Sequence, residues 1–310
     1  MATFYPEGIL SHYQENTEAL KSLSSLQEAM NKKIPLEARA IVCDSEHNLI
    51  VDLGAMRGII PREECAIGIR DGSTRDIAII SKVNKPVSFF VTDLKQDQQG
   101  SPYAILSRRL LQEHCREEYI NSLVPGDIIH GKVTHLEPFG CFVDIGCGII
   151  SLIPIDAISV SRISHPRDRF TVGQDILAVV KSIDEQGKIC LSHKELLGTW
   201  EENAEQFSPG ETVAGIVRSI ENYGIFVELA PNLAGLAELK ENVKIGQHAS
   251  VYIKSLIPEK MKIKLIIVDH FDADYPRHDY HYYVTSPHID YWKYSPECAE
   301  KQIETLFYEE

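Results

Sequence analysis

Four aromatic residues stand in two matching sets. Phe139 and Phe142 flank Gly140 in "PFGCFVDIG", and Tyr223 and Phe226 flank Gly224 in "YGIFVELA", 84 positions later. Each set is followed, further on, by an alternating run led by a lysine: "KICLS" from Lys188 and "KIKLI" from Lys262. An exposed ring accepts the face of any unpaired base, at about 1–3 kcal/mol per stacked base. An ammonium group neutralises a phosphate. Rings beside a lysine are the chemistry of a platform for unpaired bases. The competing reading is that the rings plug a barrel end or pack on a neighbouring module, which is the better account of a single exposed phenylalanine. The same unusual arrangement occurring twice favours binding.

The elements that must position these rings follow from alternation. Cys141, Val143 and Ile145 share one face of a strand, and Phe142 shares the other with Asp144. Residues three apart point to opposite faces of a regular strand, so a bulge is expected at Gly140, and another at Gly224, to bring both rings of each set outward. On the closing strands Ile189 and Leu191, and likewise Ile263 and Leu265, take the core, which turns Lys188, Lys262 and Lys264 outward. The surroundings repeat as well: "PGDIIHGKVTHLEPFG" matches "PGETVAGIVRSIENYG", and each unit carries a Gly-Gln opening a strand (Gly173-Gln174, Gly246-Gln247). Each unit has roughly five strand signals separated by turn residues, the pattern of a small closed barrel repeated along the chain. A weaker copy comes first. "LIVDLGAMRGIIPREE" keeps the core alternation Leu49, Val51, Leu53 but places His47, Asn48 and Ile50 where the aromatic set stood.

The expected organisation is an N-terminal helix in 1–34, with Leu20, Leu23, Leu26 and Met30 in a stripe and an end near Lys33. A degenerate barrel over 35–109, a helical linker over 110–123, a barrel over 124–197, a linker over 198–208 and a barrel over 209–269 follow. The tail, 270–310, is rich in Tyr, His and Asp and is expected to close on a helix, "PECAEKQIETLFYEE". A formal net charge of −14 looks hostile to nucleic acid. The excess is uneven: the third repeat, 209–269, holds 7 basic and 7 acidic residues, whereas the tail holds 3 and 9. Net charge bears on solubility and steering, not on what one face can bind. Seven cysteines without a Cys-x-x-Cys pair argue against a disulfide framework or a cysteine zinc site and fit a reducing cytoplasm. Cys141 and Cys147 are expected as buried thiols. No apolar run is long enough to span a bilayer, and no secretory signal is expected at the start.

At these residues the sequence resembles the S-one RNA-binding domain family, whose fold is an oligonucleotide-binding (OB) barrel. The family pattern of Gly-x-Val, then Phe/Tyr-Gly-x-Phe-Val, then a Gly-Leu-Val-His-like third strand, then an Asp before Gly-Arg-Ile-x-Leu-Ser is met nearly throughout 124–197, including "SRISHP" and "DEQGKICLS". It is met well in the first half of 209–269, and only in the core of 36–109. The resemblance implies an all-β chain of three tandem five-stranded OB barrels with a helical N-terminus and helical linkers. It implies RNA-facing roles for Phe139, Phe142, Tyr223 and Phe226, for Lys188 and Lys262 in place of the usual arginine, and for Asp184. Arg162 and His165 fall in the family's loop beside the groove. The family aspartate falls on Pro258 in the third copy, and its third-strand histidine falls on Pro154 and near Glu238, so both copies lack it.

The function expected is non-catalytic, sequence-tolerant binding of single-stranded RNA, messenger RNA in translation, by a monomer with no cofactor and no membrane. The small ribosomal subunit is a further expected partner. The alternatives are a protein–protein adaptor and a free RNA-binding regulator. An enzyme is disfavoured because the chain shows no phosphate loop, no nucleophile elbow and no repeated carboxylate cluster with metal spacing. His278 and His281 with Asp274 and Asp279 could hold a metal, but a polar aromatic tail packing on the third barrel accounts for them better.

Overall fold

The structure, a computed structural model, describes residues 4–273 and 280–307. It is mostly β. The first barrel comprises β1 (Leu36–Cys43), β2 (Leu49–Asp52), β3 (Arg57–Ile60), β4 (Pro86–Gln96) and β5 (Pro102–Ser107). The second comprises β6 (Ile128–Glu137), β7 (Gly140–Asp144), β8 (Ile150–Pro154), β9 (Asp175–Ile183) and β10 (Ile189–Ser192). The third comprises β11 (Thr212–Glu221), β12 (Gly224–Ala230), β13 (Leu233–Ala237), β14 (His248–Ile257) and β15 (Lys262–Phe271). All three close with the same ring order, first-second-third-fifth-fourth strand. In each, the third and fifth strands run parallel. These are five-stranded barrels of the OB type, closed so that no edge is left unpaired.

The cause is the alternation itself. Leu49, Val51, Leu106 and Phe89 fill the first barrel, and Val217, Ile225, Val227, Ile263 and Leu265 the third, with polar neighbours facing away. The N-terminal stripe is broken into two helices, α1 (Gln14–Ala19) and α2 (Leu23–Lys32), because Ser22 caps the second through a capping box with Ser25. Lys33 ends it in the left-handed region at φ 50°. Leu26 and Ala29 bury into the first barrel's core, with Leu20 and Met30 packed against it; Leu23, in the first turn, stays 49% exposed. The short α3 (Ile77–Ile80) sits between β3 and β4; α4 (Arg108–Glu118) and α5 (Trp200–Ala204) occupy the expected helical connections.

The closing helix expected in the tail is not formed. Tyr291–Lys293 (β16) pairs antiparallel with Glu304–Leu306 (β17) instead. Tyr291 and Trp292 on one arm and the β-branched Thr305 on the other suit a strand. Trp292, Tyr294 and Phe307 join the third barrel's core cluster together with Trp200.

The chain forms two compact units: Met1–Leu123 with His130–Lys132 and Asp144–Ile150, and the remainder. In the first, Asp144 is buried rather than facing water beside Phe142. Its carboxylate accepts the N–H groups of Glu7 (2.8 Å), Gly146 (2.9 Å) and Gly148 (3.0 Å). In the second, its repeat counterpart Glu228 is buried between Arg169 (2.9 and 2.6 Å) and Arg218 (2.8 and 3.1 Å). The tail straps this second unit. Gly126 accepts the Ile289 N–H, Ile128 donates to Pro287, Trp200 donates to Tyr294, and the Tyr294 hydroxyl donates to Asn232.

Candidate nucleic-acid interface

Phe139 and Tyr223 are not strand residues. They occupy the two-residue turns Pro138-Phe139 and Asn222-Tyr223 that join the first two strands of their barrels. Turn residues escape strand alternation, so no bulge at the following glycine is needed to turn the ring outward. In the β11–β12 hairpin of the third barrel the register shift lies across from the glycine, between Val217 and Ser219 of β11, while Gly224 pairs in step with Glu221. The glycines serve close approach. A Cβ at Gly140 would lie 2.5 Å from the Ile153 carbonyl oxygen, and one at Gly224 would lie 2.6 Å from that of Ala237.

The expected pairing of rings is present twice. Phe139 and Phe142 meet edge to face with centroids 5.9 Å apart at 89°; Tyr223 and Phe226 meet at 6.2 Å and 90°. The turn ring of each pair is well exposed, Phe139 at 57% and Tyr223 at 65%, and the strand ring is half-buried. T-shaped pairs hold each other's orientation, which leaves the outer ring's face presented to solvent.

The strands extend each platform sideways. In the third barrel one row crosses the sheet: Ser219 opposite Phe226, Phe226 opposite Leu236, Leu236 opposite Lys264, and Lys264 opposite Ser255. Neighbouring strands are roughly 4.8 Å apart, so Lys264 stands two strands, or roughly 10 Å, from Phe226. In the second barrel Leu152 pairs with Cys190 and Cys190 with Ser182, so a half-buried cysteine takes the place of that lysine. Lys188 and Lys262 are exposed at the entry to the closing strands. Leu152, Leu236 and Cys190 were not expected in the site; only cross-strand register reveals them.

The remaining candidates divide. Arg162 is exposed. His165 is the N-cap of a short turn of 3-10 helix, its Nδ1 accepting the Arg167 N–H at 3.1 Å. Asp184 is exposed, but its carboxylate accepts the N–H groups of Gln186 (3.0 Å) and Lys188 (2.8 Å), which closes the β9–β10 turn. Asp97 does the same in the first barrel with Gln99 (2.8 Å) and Ser101 (2.9 Å), so the two barrels share this turn. Cys141 is buried, and burial pushes its thiol up to about 12; Cys147, also buried, is pushed up by the neighbouring Cys115 thiol and by burial. Of the tail's metal candidates, Asp274, His278 and Asp279 lie outside the described residues, and the His281 ring packs on Tyr283. Among the described residues no three His, Cys, Asp or Glu side chains gather as a metal site. No helix there is long and apolar enough to cross a membrane.

The first barrel carries the same row with different chemistry. Val42 pairs with Ile50, Ile50 with Ile59, and Ile59 with Ile105. From β1 to β5 the row is aliphatic, with neither ring nor lysine, and it ends on Asp93 of β4, opposite Ile105.

Three Greek-key barrels of one topology, two of them faced by paired rings, define a tandem OB-fold protein. Residues 123–194, the second barrel, match the family model described as S1 RNA binding domain. The small ribosomal subunit protein bS1 of Staphylococcus aureus (strain N315) is 31% identical over 276 residues, covering 84% of this chain and 67% of that protein. The bS1 homolog of Bacillus subtilis (strain 168) is 32% identical over 229 residues, covering 71% of this chain and 56% of that protein. A crystal structure of a multidomain protein with nucleic acid binding domains from Streptococcus pneumoniae TIGR4 is 15% identical, covers 76% of this chain and 73% of that one, and has a TM-score of 0.25, too slight a likeness to weigh. The chain belongs to the bS1 family.

Proposed function

We propose that this chain binds single-stranded RNA, messenger RNA above all, without catalysis, and acts in translation with the small ribosomal subunit. The observation that carries the reading is the T-shaped ring pair at the same place in two barrels, one ring in the turn and one on the second strand. Phe139, Phe142 and Lys188 serve in the second barrel, with the exposed Arg162, which the family resemblance sets in the loop by the groove; Tyr223, Phe226, Lys262 and Lys264 serve in the third. Asp184 and His165 act through the loops they hold. The relatives' names supply the ribosomal setting, and a cytoplasmic protein fits it.

Phe142→Ala and Phe226→Ala should each weaken binding of single-stranded RNA to the full chain by about 1–3 kcal/mol. Neither ring is in a barrel core, so cooperative unfolding should persist. Loss of cooperative unfolding in either variant, with a surface control unaffected, would mark that ring as structural. Cosedimentation with small ribosomal subunits separates a ribosome-bound protein from a free factor.

A second reading, a protein adaptor, is favoured by the first barrel alone, whose aliphatic row suits a protein surface better than a base. On this view the first barrel is silent toward RNA. Ile59→Lys should then leave RNA affinity unchanged.

A further inference from the structure

We infer that His135 is a third base-stacking ring of the second barrel, held in place by Glu137; this rests on the platform reading above. His135 lies on β6, and its imidazole is 6.2 Å from the Phe142 ring, centroid to centroid, inclined at 32°. Phe142 in turn holds Phe139 edge to face at 5.9 Å. Three rings from β6, the turn and β7 therefore form one continuous patch.

The imidazole is solvent-exposed, its side chain at 62%, yet it is not loose. Its Nε2 lies 2.6 Å from Glu137 Oε1. Residues two apart on a strand share a face, so Glu137 sits where it can hold the ring upright beside Phe142. An exposed pair of this kind adds little stability. A positioned, exposed aromatic beside two others is what stacking requires.

The other barrels do without it. In the third barrel the corresponding residue is Ser219, directly opposite Phe226, and in the first it is Val42, opposite Ile50. The two RNA-facing barrels therefore differ: the second offers three rings with Cys190 in the row, and the third offers two rings with Lys264 there. The second is built for stacking and the third leans on phosphate contact. The ligand class is unpaired bases, at least one more of them in the second barrel than in the third.

The test uses the full chain carrying Phe226→Ala, so that the second barrel dominates, and a uridine 12-mer as probe. His135→Ala should weaken binding at least about fivefold, leave the unfolding midpoint unchanged, and be rescued by His135→Phe. Should His135→Ala bind as the parent does while Phe142→Ala still weakens binding, the third ring is wrong and the platform stands. If neither change alters affinity, the platform reading fails and takes this inference with it. Rescue by His135→Lys but not by His135→Phe would make the residue a phosphate-binding cation and overturn the stacking role.

Discussion

The carboxylate of Asp184 receives two backbone N–H groups, and one of them belongs to Lys188. The bond sets where that lysine leaves the barrel. Asp184→Ala should lower the stability of the second unit by about 1–2 kcal/mol and weaken RNA binding less than Phe142→Ala does. Asp184→Asn keeps an oxygen acceptor for the turn and should restore both, measured by chemical denaturation and RNA titration. If Asn fails where Asp succeeds, the negative charge has a role at the RNA that the turn does not explain. Single residues were legible in the sequence when their position depended on neighbours in the chain. The paired rings, Lys188, Lys262 and Lys264 are of that kind. Asp144 and Glu228 were not, because the partners that bury them, Glu7 and Arg169, lie 137 and 59 residues away.

The hairpin that opens each barrel depends on a glycine for a reason that strand periodicity does not contain. At Gly140 and Gly224 the third strand's backbone passes within reach of any added carbon. Gly224→Ala should push β12 off β13 and cost about 1–3 kcal/mol by overpacking, read as a lower unfolding midpoint together with weaker RNA binding. An unchanged midpoint would show that the strand can shift freely. The core alternation of all three barrels was readable from local pattern. The bulge expected at Gly224 was misplaced because register belongs to the pair of strands, not to one. The tail was misread for a related reason: Ile303 and Phe307 are spaced like a helix, but the strand that claims this segment is Tyr291–Lys293, out of reach of any window of one helical turn.

At the scale of the molecule, the two compact units carry different acid sensitivities. In the first, burial would raise Glu7, but the Arg108 guanidinium at 2.6 Å and the Lys82 ammonium at 2.6 Å hold it down to about 2. A carboxylate depressed on folding contributes stability above its unfolded value near 4.5, lost as pH falls toward 2. In the second, burial pushes His193 down to about 4, between the Ile158 carbonyl and the Tyr282 hydroxyl. A histidine kept neutral by folding contributes stability above its ordinary 6.5, lost as pH falls through 4, on the order of 3 kcal/mol. Both tryptophans, Trp200 and Trp292, are buried in the second unit. Fluorescence-detected stability should therefore decline between pH 6.5 and 4, and His193→Gln should flatten that decline. A profile in the parent that is flat to pH 4.5 would rule out the buried imidazole as its cause. Salt offers a second whole-molecule measurement. With about three to five phosphates neutralised, log affinity should fall against log salt with a slope of roughly −2 to −3.5; a far steeper slope would mean a basic surface elsewhere.

The strap of residues 280–307 also sets a timetable for synthesis. All the segments of the first unit exist once residue 150 has been made, whereas the core around the third barrel includes Tyr294 and Phe307. At about 5–20 residues per second, the interval between those two points is roughly eight to thirty seconds. Phe139 and Phe142 are already made when it begins, and Tyr223 and Phe226 are added during it, all before the packing that completes their unit is available. The chain thus makes its paired surface rings early and finishes the body that carries them last.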